Sequence, residues 1–494
     1  MAKNYLCTNC GKNFNNDIAG LNYKYFGRNY KQIQCLECLS DYLNAEPAAL
    51  LNQVDYYKNM GCTLFLDSDD IEDNFYKIAE ECGYSQDNIA RMKNGETVIE
   101  FRFIPTLEEL SRIVSRADDK IRRARAEVFF DAENIRSRKR IGQGIHDRAE
   151  KILFAYGEPL SESDIAGLKK HQPHPVKFYS ALNVTVKKNQ CLDFTAVGDD
   201  FDLSLGDDLI CCVNIGTLTL EEGASICVRG NLFSLTCQKI IKNGNGTSDI
   251  NILPTSFSYS SGYTVFKEEF NGEDGKDGHD GNNGQNNYTP PLSYSIFGEL
   301  HFGDERGAKN GSDGTDGQDG TNGKRGLCGG AAKICEININ DLEIRGHKPL
   351  YIKGKAGDGG NGGKGGNGGC GGNGGIGGKS YNVFTDDGNI MTFPQGKNGN
   401  GGNGGNGGNG GNGGNGGICS NIFVEIPAEL SENIVCISEV GKGGEGGIGG
   451  LGGSAGSGDH DGVIGHDGKK GINGHSRSGP PIYVNSVLIT QALS

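Results

Sequence analysis

Tryptophan is absent from the 494 residues, methionine occurs four times and proline only 13 times. No run of about 18 apolar residues exists, which excludes a spanning helix of ordinary length. The opening MAKNYLCTNCGKNF has neither the basic n-region nor the apolar h-region of a secretory leader, so a cytoplasmic location is expected. Release by lysis, or as part of a phage particle, stays open. There is no G-x-S-x-G elbow, P-loop or HExxH, and no other catalytic set stands out, so the expectation is a protein that is not an enzyme. Positive charge is also in short supply. With 48 basic against 62 acidic residues the net charge is −14, which argues against the chain as a whole binding nucleic acid.

What is present begins with cysteine, at 16 residues. Cys7-Thr-Asn-Cys10 and Cys35-Leu-Glu-Cys38 form two C-x2-C knuckles 24 residues apart. Each knuckle can offer two thiolates from one tight turn. Cys7, Cys10, Cys35 and Cys38 together make a closed four-sulfur set, the pattern of one structural Zn2+ per chain. The surrounding GLNYKYFGRNYKQIQCLECLSDYL and the following NMGCTLF resemble small stand-alone bacterial zinc-ribbon proteins. That resemblance covers about residues 3–66 and implies a zinc ribbon without a defined activity. Lys24, Arg28 and Lys31 alternate with Tyr23, Tyr25, Phe26 and Tyr30, a mixture that suits either nucleic-acid contact or the packed and solvated faces of a small domain.

The next hundred residues read as mainly helical. Ile71, Phe75, Ile78 and Ala79 mark one helix from Asp69 to Cys82, stopped at Gly83. A short strand, TVIEFRF, follows at 97–103. Thr106 and Glu109 then make a capping-box pair. The seam Leu110, Val114, Ala117, Ile121, Ala124, Val128 and Ile135 suits a helical hairpin or short coiled coil, packed internally or used for self-association. Lys120 to Arg140 holds eight basic residues against three acidic ones, including Arg136-Ser-Arg-Lys-Arg140, either a solvated helix face or a site for an acidic partner. From about Val176 the period changes to two. Short strands separated by Gly, Asn or Asp turns suggest rungs of a parallel β-solenoid, with a small sandwich as the alternative. Cys211, Cys212, Cys227 and Cys237 lie in or beside these strands and read as small core residues.

The 83 glycines are concentrated after residue 270. Between Gly354 and Gly378, and between Gly396 and Gly417, glycine returns at every third position without a miss. Runs begin near Gly272, Gly311, Gly354, Gly396 and Gly441, 39 to 45 residues apart, and ordinary β-like segments lie between them. A flexible linker needs no such register. Collagen needs three chains and is rich in proline, which these triplets lack. The remaining reading is a bundle of polyglycine-II helices, three residues per turn, whose backbone groups point sideways and bond to neighbouring helices. Two glycines per triplet make two contact ridges, so 354–378, 396–417 and 441–453 are expected inside. Runs 272–284, 311–326 and 462–474 carry one glycine and are expected at edges. Asn403 to Asn415 forms a polar ladder. Asp274, Asp277 and Asp280 read as solvated carboxylates, and Asp459, His460, Asp461, His466, Asp467 and His475 are a weak metal candidate.

In its triplet register, roughly over 270–479, this half resembles the glycine-rich domains of phage tail-fibre tip adhesins and the snow-flea antifreeze protein. The resemblance implies a stiff scaffold; neither ligand carries over, because the intervening β segments and the front half depart from both. The expected organisation is multidomain: a zinc ribbon (1–66), a mainly α middle domain (67–170), an all-β solenoid-like region or small β domain (171–270), and a glycine-rich polyglycine-II bundle with interleaved β segments (271–494). The expected role is that of a structural or interaction protein. Its partner is another protein or a second copy; a cell-surface glycan or protein, as for an adhesin, and nucleic acid through the N-terminal region are the alternatives.

Overall fold

A two-stranded hairpin, β1 (Tyr5–Leu6) with β2 (Asn13–Phe14), leads into α1 (Asn16–Phe26), α2 (Leu36–Leu43) and α3 (Pro47–Asn59). These close on Phe14, Ile18, Leu21, Leu39, Leu50, Val54 and Phe65. The computed structural model describes residues 5–26, 30–59, 65, 68–129, 152–153, 162–170, 172–203, 209–260, 263–266, 270–287, 293–294, 300–301, 308–384, 388–489 and 492–493.

The middle segment contains α4 (Ser68–Glu81), α5 (Gln86–Lys93), β3 (Val98–Ile104), α6 (Leu107–Val114) and α7 (Asp119–Phe129), and a further helix spans Glu162–Lys169. Gly83 leaves α4 with φ +75°, a conformation that suits glycine. Thr106 caps α6 by accepting the Glu109 N–H at 3.2 Å. The apolar seam from Leu110 onward does not ride on one helix. Ser115 is extended (φ −133°, ψ 134°) and ends α6, and Asp118 restarts the chain by accepting the Ile121 N–H at 2.8 Å. The cause is a buried acceptor far away in sequence: Glu336 takes both the Ser115 hydroxyl (2.7 Å) and the Arg116 N–H (2.6 Å). Ile135 lies outside the described residues.

Strands follow in chain order: β4 (His174–Val186), β5 (Cys191–Asp193), β6 (Ile210–Leu220), β7 (Ser225–Arg229), β8 (Leu232–Asn243), β9 (Asp249–Leu253), β10 (Phe257–Ser260), β11 (Tyr263–Phe266), β12 (Ser293–Tyr294), β13 (Leu300–His301), β14 (Cys335–Ile339), β15 (Leu342–Arg345) and β16 (Leu350–Lys355). After these come β17 (Tyr381–Phe384), β18 (Ile390–Phe393), β19 (Ile422–Glu425), β20 (Ile434–Glu439), β21 (Ile482–Val484), β22 (Val487–Leu488) and β23 (Ala492–Leu493). The larger sheet has the order β22-β21-β19-β14-β8-β6-β4-β3, with β15 also on β8. The smaller one runs β23-β20-β16-β9-β7-β5. Within these two sheets all pairings are parallel except β3 with β4 and β21 with β22.

Register stacks like on like. Val213, Leu235, Ile337, Val424 and Val484 stand opposite one another across five strands. Ile226, Ile250, Ile352 and Cys436 do so in the other sheet. The two columns belong to one core. The opposite face of the larger sheet is covered by Phe75, Leu110, Ile113, Val114 and Ala126 from the helices, packed with Phe178, Cys212, Leu232 and Phe423. The stretches 67–170, 171–270 and 271–494 therefore share this sheet: β3 comes from the first, β4, β6 and β8 from the second, and β14, β19 and β21 from the third.

The glycine runs are excursions from this stack. Runs 1 to 6 occupy 270–287, 308–330, 356–378, 396–417, 441–458 and 459–477. Run 3 leaves the end of β16 and run 4 returns to β19; run 5 leaves β20 and run 6 returns to β21. Backbone hydrogen bonds join the runs at every third residue. Gly272, Gly275, Gly278, Gly281 and Gly284 donate to the carbonyls of Asn361, Lys364, Asn367, Cys370 and Asn373, all at 2.7 Å, so runs 1 and 3 are parallel. Ser312, Thr315, Gln318, Thr321 and Lys324 donate to Gln285, Asn282, His279, Lys276 and Glu273, so runs 2 and 1 are antiparallel. Repeated along the chain, the pattern places runs 1, 3 and 5 in one layer and runs 2, 4 and 6 in a second, opposite in direction.

Runs 3 and 4 bond to four neighbours each, runs 2 and 5 to three, and runs 1 and 6 to two. Run 5, expected inside, and run 2, expected at an edge, thus hold equivalent places. The difference in glycine content has a local reason. A Cβ at Gly446 or Gly452 of run 5 would stand 2.0 or 1.9 Å from a carbonyl oxygen of run 6. At the matching side of run 2, Ser312, Thr315 and Thr321 instead accept N–H groups of Gln285, Asn282 and Lys276 through their hydroxyls.

Candidate metal centre

Two local structures bring four sulfurs together. The first knuckle is the turn between β1 and β2. The Cys7 N–H donates to the Lys12 carbonyl (2.8 Å), the Gly11 N–H to the Cys7 carbonyl (2.9 Å), and Gly11 takes φ +73° to close it. The second is the start of α2, where Cys35 is the N-cap residue and Cys38 sits in the first turn. The helix N-terminus favours negative charge on both thiols, against burial, which pushes the Cys35 thiol up. The knuckles are tied by Thr8, whose N–H and hydroxyl both donate to the Ile33 carbonyl, at 2.9 and 3.0 Å.

The sulfurs of Cys7, Cys10, Cys35 and Cys38 all lie within 4.8 Å of one another, with Cys10 and Cys35 at 3.5 Å. Tetrahedral thiolates at about 2.3 Å from an ion would stand about 3.8 Å apart, so the cage has the right size for one four-coordinate metal. Cys7 and Cys35 are buried, Cys38 is half-buried and Cys10 faces solvent. Burial opposes ionisation of Cys7, but backbone hydrogen bonds from Cys35, Cys10 and Asn9 outweigh it and bring the thiol down to about 6.

Asn22, which carries no motif, holds the second knuckle. It is fully buried on α1; its Nδ2 donates to the carbonyls of Ile18 and Gln34, both at 2.8 Å, and its Oδ1 accepts the Gln34 N–H at 2.9 Å. This two-point grip fixes the residue next to Cys35. No spacing in the sequence signals it.

The aromatic and basic residues of the ribbon are partly spoken for. Lys24 lies over the Tyr57 ring (4.9 Å), Phe26 packs with Tyr30 and Tyr42 at 4.5 and 5.5 Å, and Tyr25 bonds Gln53. Arg28 lies outside the described residues. On the basic helix, Arg122 donates to the Ala117 carbonyl (3.0 Å), and Arg125 is buried between Glu336 (2.8 Å) and Glu425 (2.5 Å) over the ring of Phe423. These two positive charges face inward. Arg136 to Arg140 lie outside the described residues.

Among the described residues no other group of His, Cys, Asp and Glu donors converges. His460, His466 and His475 stand apart along run 6, each donating its backbone N–H to an Asn of run 4. Asp274, Asp277 and Asp280 are more than solvated carboxylates: each accepts a backbone N–H of run 3, from Lys364, Asn367 and Cys370, at 2.7, 2.6 and 2.7 Å. Cys211, Cys212 and Cys237 are buried and Cys227 half-buried; burial pushes the Cys211 and Cys237 thiols up to about 12. At the seam of α4, α6 and the larger sheet, Cys82, Tyr84, Arg116, Ser180, Cys212 and Asn214 surround a cavity of about 10 Å³. That is room for one water molecule rather than a substrate.

No helix among the described residues is long and apolar enough to cross a membrane. No protein-family model, no curated protein and no solved structure matches the chain.

Proposed function

We propose that the protein is a non-enzymatic structural and interaction protein, in which a zinc-stabilised ribbon and a helix-covered β stack carry a stiff glycine body. The observation that carries this reading is the hydrogen bonding of the glycine runs. Three-residue periodicity, lateral backbone bonds and the absence of room for a Cβ together support polyglycine-II helices packed as a scaffold. Their roots are set by the rung-like strands: β16 and β20 are neighbours about 4.8 Å apart, so runs 3 and 5 start side by side and much of the ordering entropy of glycine is met by the stack. For the ribbon, four thiolates with helix-end and backbone support favour Zn2+, one per chain, in a structural site.

The adhesin reading has one observation in its favour. The hairpin β17–β18, at the turn from run 3 to run 4, exposes Ile390 and Met391 beside the stacked rings of Tyr381 and Phe393. Recognition of nucleic acid loses support from the inward use of Arg122 and Arg125.

Amide exchange across 354–417 tests the scaffold: slow exchange at the glycines is expected, and rapid exchange throughout would sink it. Elemental analysis should find about one zinc per chain, lost in the Cys7→Ser, Cys35→Ser double variant.

A further inference from the structure

β3 is the last strand of the larger sheet. One side of it pairs with β4; on the other, no backbone bond joins residues 98–104 to any described element. Such an edge is a template for another strand. Its outer face is also apolar. Ile99, Phe101 and Phe103 alternate along it at 49%, 45% and 46% exposure, backed by the buried ring of Phe201, which meets Phe101 and Phe103 at 5.6 and 5.7 Å. Natural edges are normally blunted by charge, proline or a bulge; β3, VIEFRFI, has no lysine, proline or bulge, and its two charges, Glu100 and Arg102, are partnered with each other at 3.1 Å on the opposite face.

We propose that β3 pairs antiparallel with β3 of a second copy of this chain, about a two-fold axis at Phe101. The strand is complementary to itself in that register. Ile99 stands opposite Phe103 of the second copy, Phe101 opposite Phe101, and the two apolar rows join on one face. On the other face Glu100, which meets Arg102 of its own strand at 3.1 Å, also stands opposite Arg102 of the second copy, twice by symmetry. Moving the axis to Glu100 or to Arg102 would set like charges opposite each other, which disfavours those registers. Charge and apolar pattern therefore select one alignment. Backbone groups left open by β3 are then satisfied by their own equivalents, and the two large sheets become one.

The inference rests on the interaction reading and names its partner. Sedimentation of the full chain over a concentration series should show a reversible dimer. Phe101→Lys sets two ammonium groups opposite each other and should give a monomer, with circular dichroism and zinc content unchanged. Phe101→Glu alone should also be monomeric, and mixing it with Phe101→Lys should restore a dimer. Ile448→Lys, on an exposed position of run 5, should leave the dimer intact. A monomeric wild type, a dimer that survives Phe101→Lys, or a mixture that stays monomeric would overturn the proposal. Failure of the proposed structural role itself would appear elsewhere, as unprotected exchange in the glycine runs.

Discussion

Replacing Gly366 by alanine separates a packed run from a flexible one by sign. No positive φ constrains Gly366, so the backbone conformation tolerates alanine. In a disordered run the change would be neutral, or stabilise by about 0.4–1 kcal/mol by restricting the unfolded chain. In the packed array the new Cβ would lie 2.0 Å from the Lys276 carbonyl oxygen and 2.3 Å from its carbon. Bringing that oxygen contact to 3.0 Å means parting runs 1 and 3 by about 1 Å, which takes bonds of 2.7 Å past the length at which they count as hydrogen bonds. The bonds flanking the site are Gly275 N–H to Lys364, Gly278 N–H to Asn367, Lys364 N–H to Asp274 and Asn367 N–H to Asp277. At roughly 0.5–1.5 kcal/mol net each, loss of the four costs about 2–6 kcal/mol. Amide exchange reads this directly: Gly275, Gly278 and Asn367 should exchange faster in Gly366→Ala than in wild type, while β6 and β8 hold their protection. Ile448→Ala, at an exposed position, is the control and should stay within about 0.5 kcal/mol. If Gly366→Ala is neutral or stabilising, the packing argument is wrong.

Two further outcomes follow from buried polar contacts. Asn22→Ala leaves the N–H and carbonyl of Gln34 without their partner; it should cost about 2 kcal/mol in ribbon stability and weaken metal binding about 10–100-fold in a chelator competition. Unchanged metal affinity would show that the second knuckle needs no such grip. Arg125→Ala strands Glu336, whose side chain is 0% exposed, and should lower the unfolding free energy by about 3–5 kcal/mol. Combining Arg125→Met with Glu336→Gln should cost less than the two single changes added, and strict additivity would argue against direct coupling.

Local signals were legible wherever the responsible residues are close in sequence. The cysteine knuckles, the Thr106 cap and the Gly83 stop each depend on neighbours within a few positions. What the chain does not announce is which distant segment answers a local feature. Glu336 breaks the apolar seam at Ser115 from 221 residues away, and Arg125 finds Glu425 across 300 residues. Hydrophobic periodicity has no term for either. The basic helix illustrates the consequence: counted along the sequence it is a patch of charge, but Arg125 ties α7 to Glu336 and Glu425 of the sheet and Arg122 folds back on the Ala117 carbonyl. The shared sheet was hidden for a related reason, since each β segment between glycine runs is too short to show that it continues strands laid down a hundred residues earlier.

The asparagines show how much a repetitive sequence can specify once its neighbours are known. An Asn or Asp at the third triplet position does more than face solvent. Its Oδ1 accepts the N–H of the residue at the same position in the next parallel run, from run 1 to run 3, run 2 to run 4, run 3 to run 5 and run 4 to run 6. Run 1 therefore carries Asn or Asp at all of 271, 274, 277, 280, 283 and 286, each with its bond. The requirement ends with the array. Runs 5 and 6 have no later parallel run to serve, and their equivalent positions hold Lys442, Glu445, Ile448, Leu451, His460, Val463, His466, Lys469 and Ile472. At this last edge Asp467 and Asn473 of run 6 turn back to accept N–H groups of Gly452 and Gly446. At the first edge the hydroxyls of run 2 do the same for run 1. Both margins are thus capped by short polar side chains, as edge strands are blunted in sheets. The array is finite by composition.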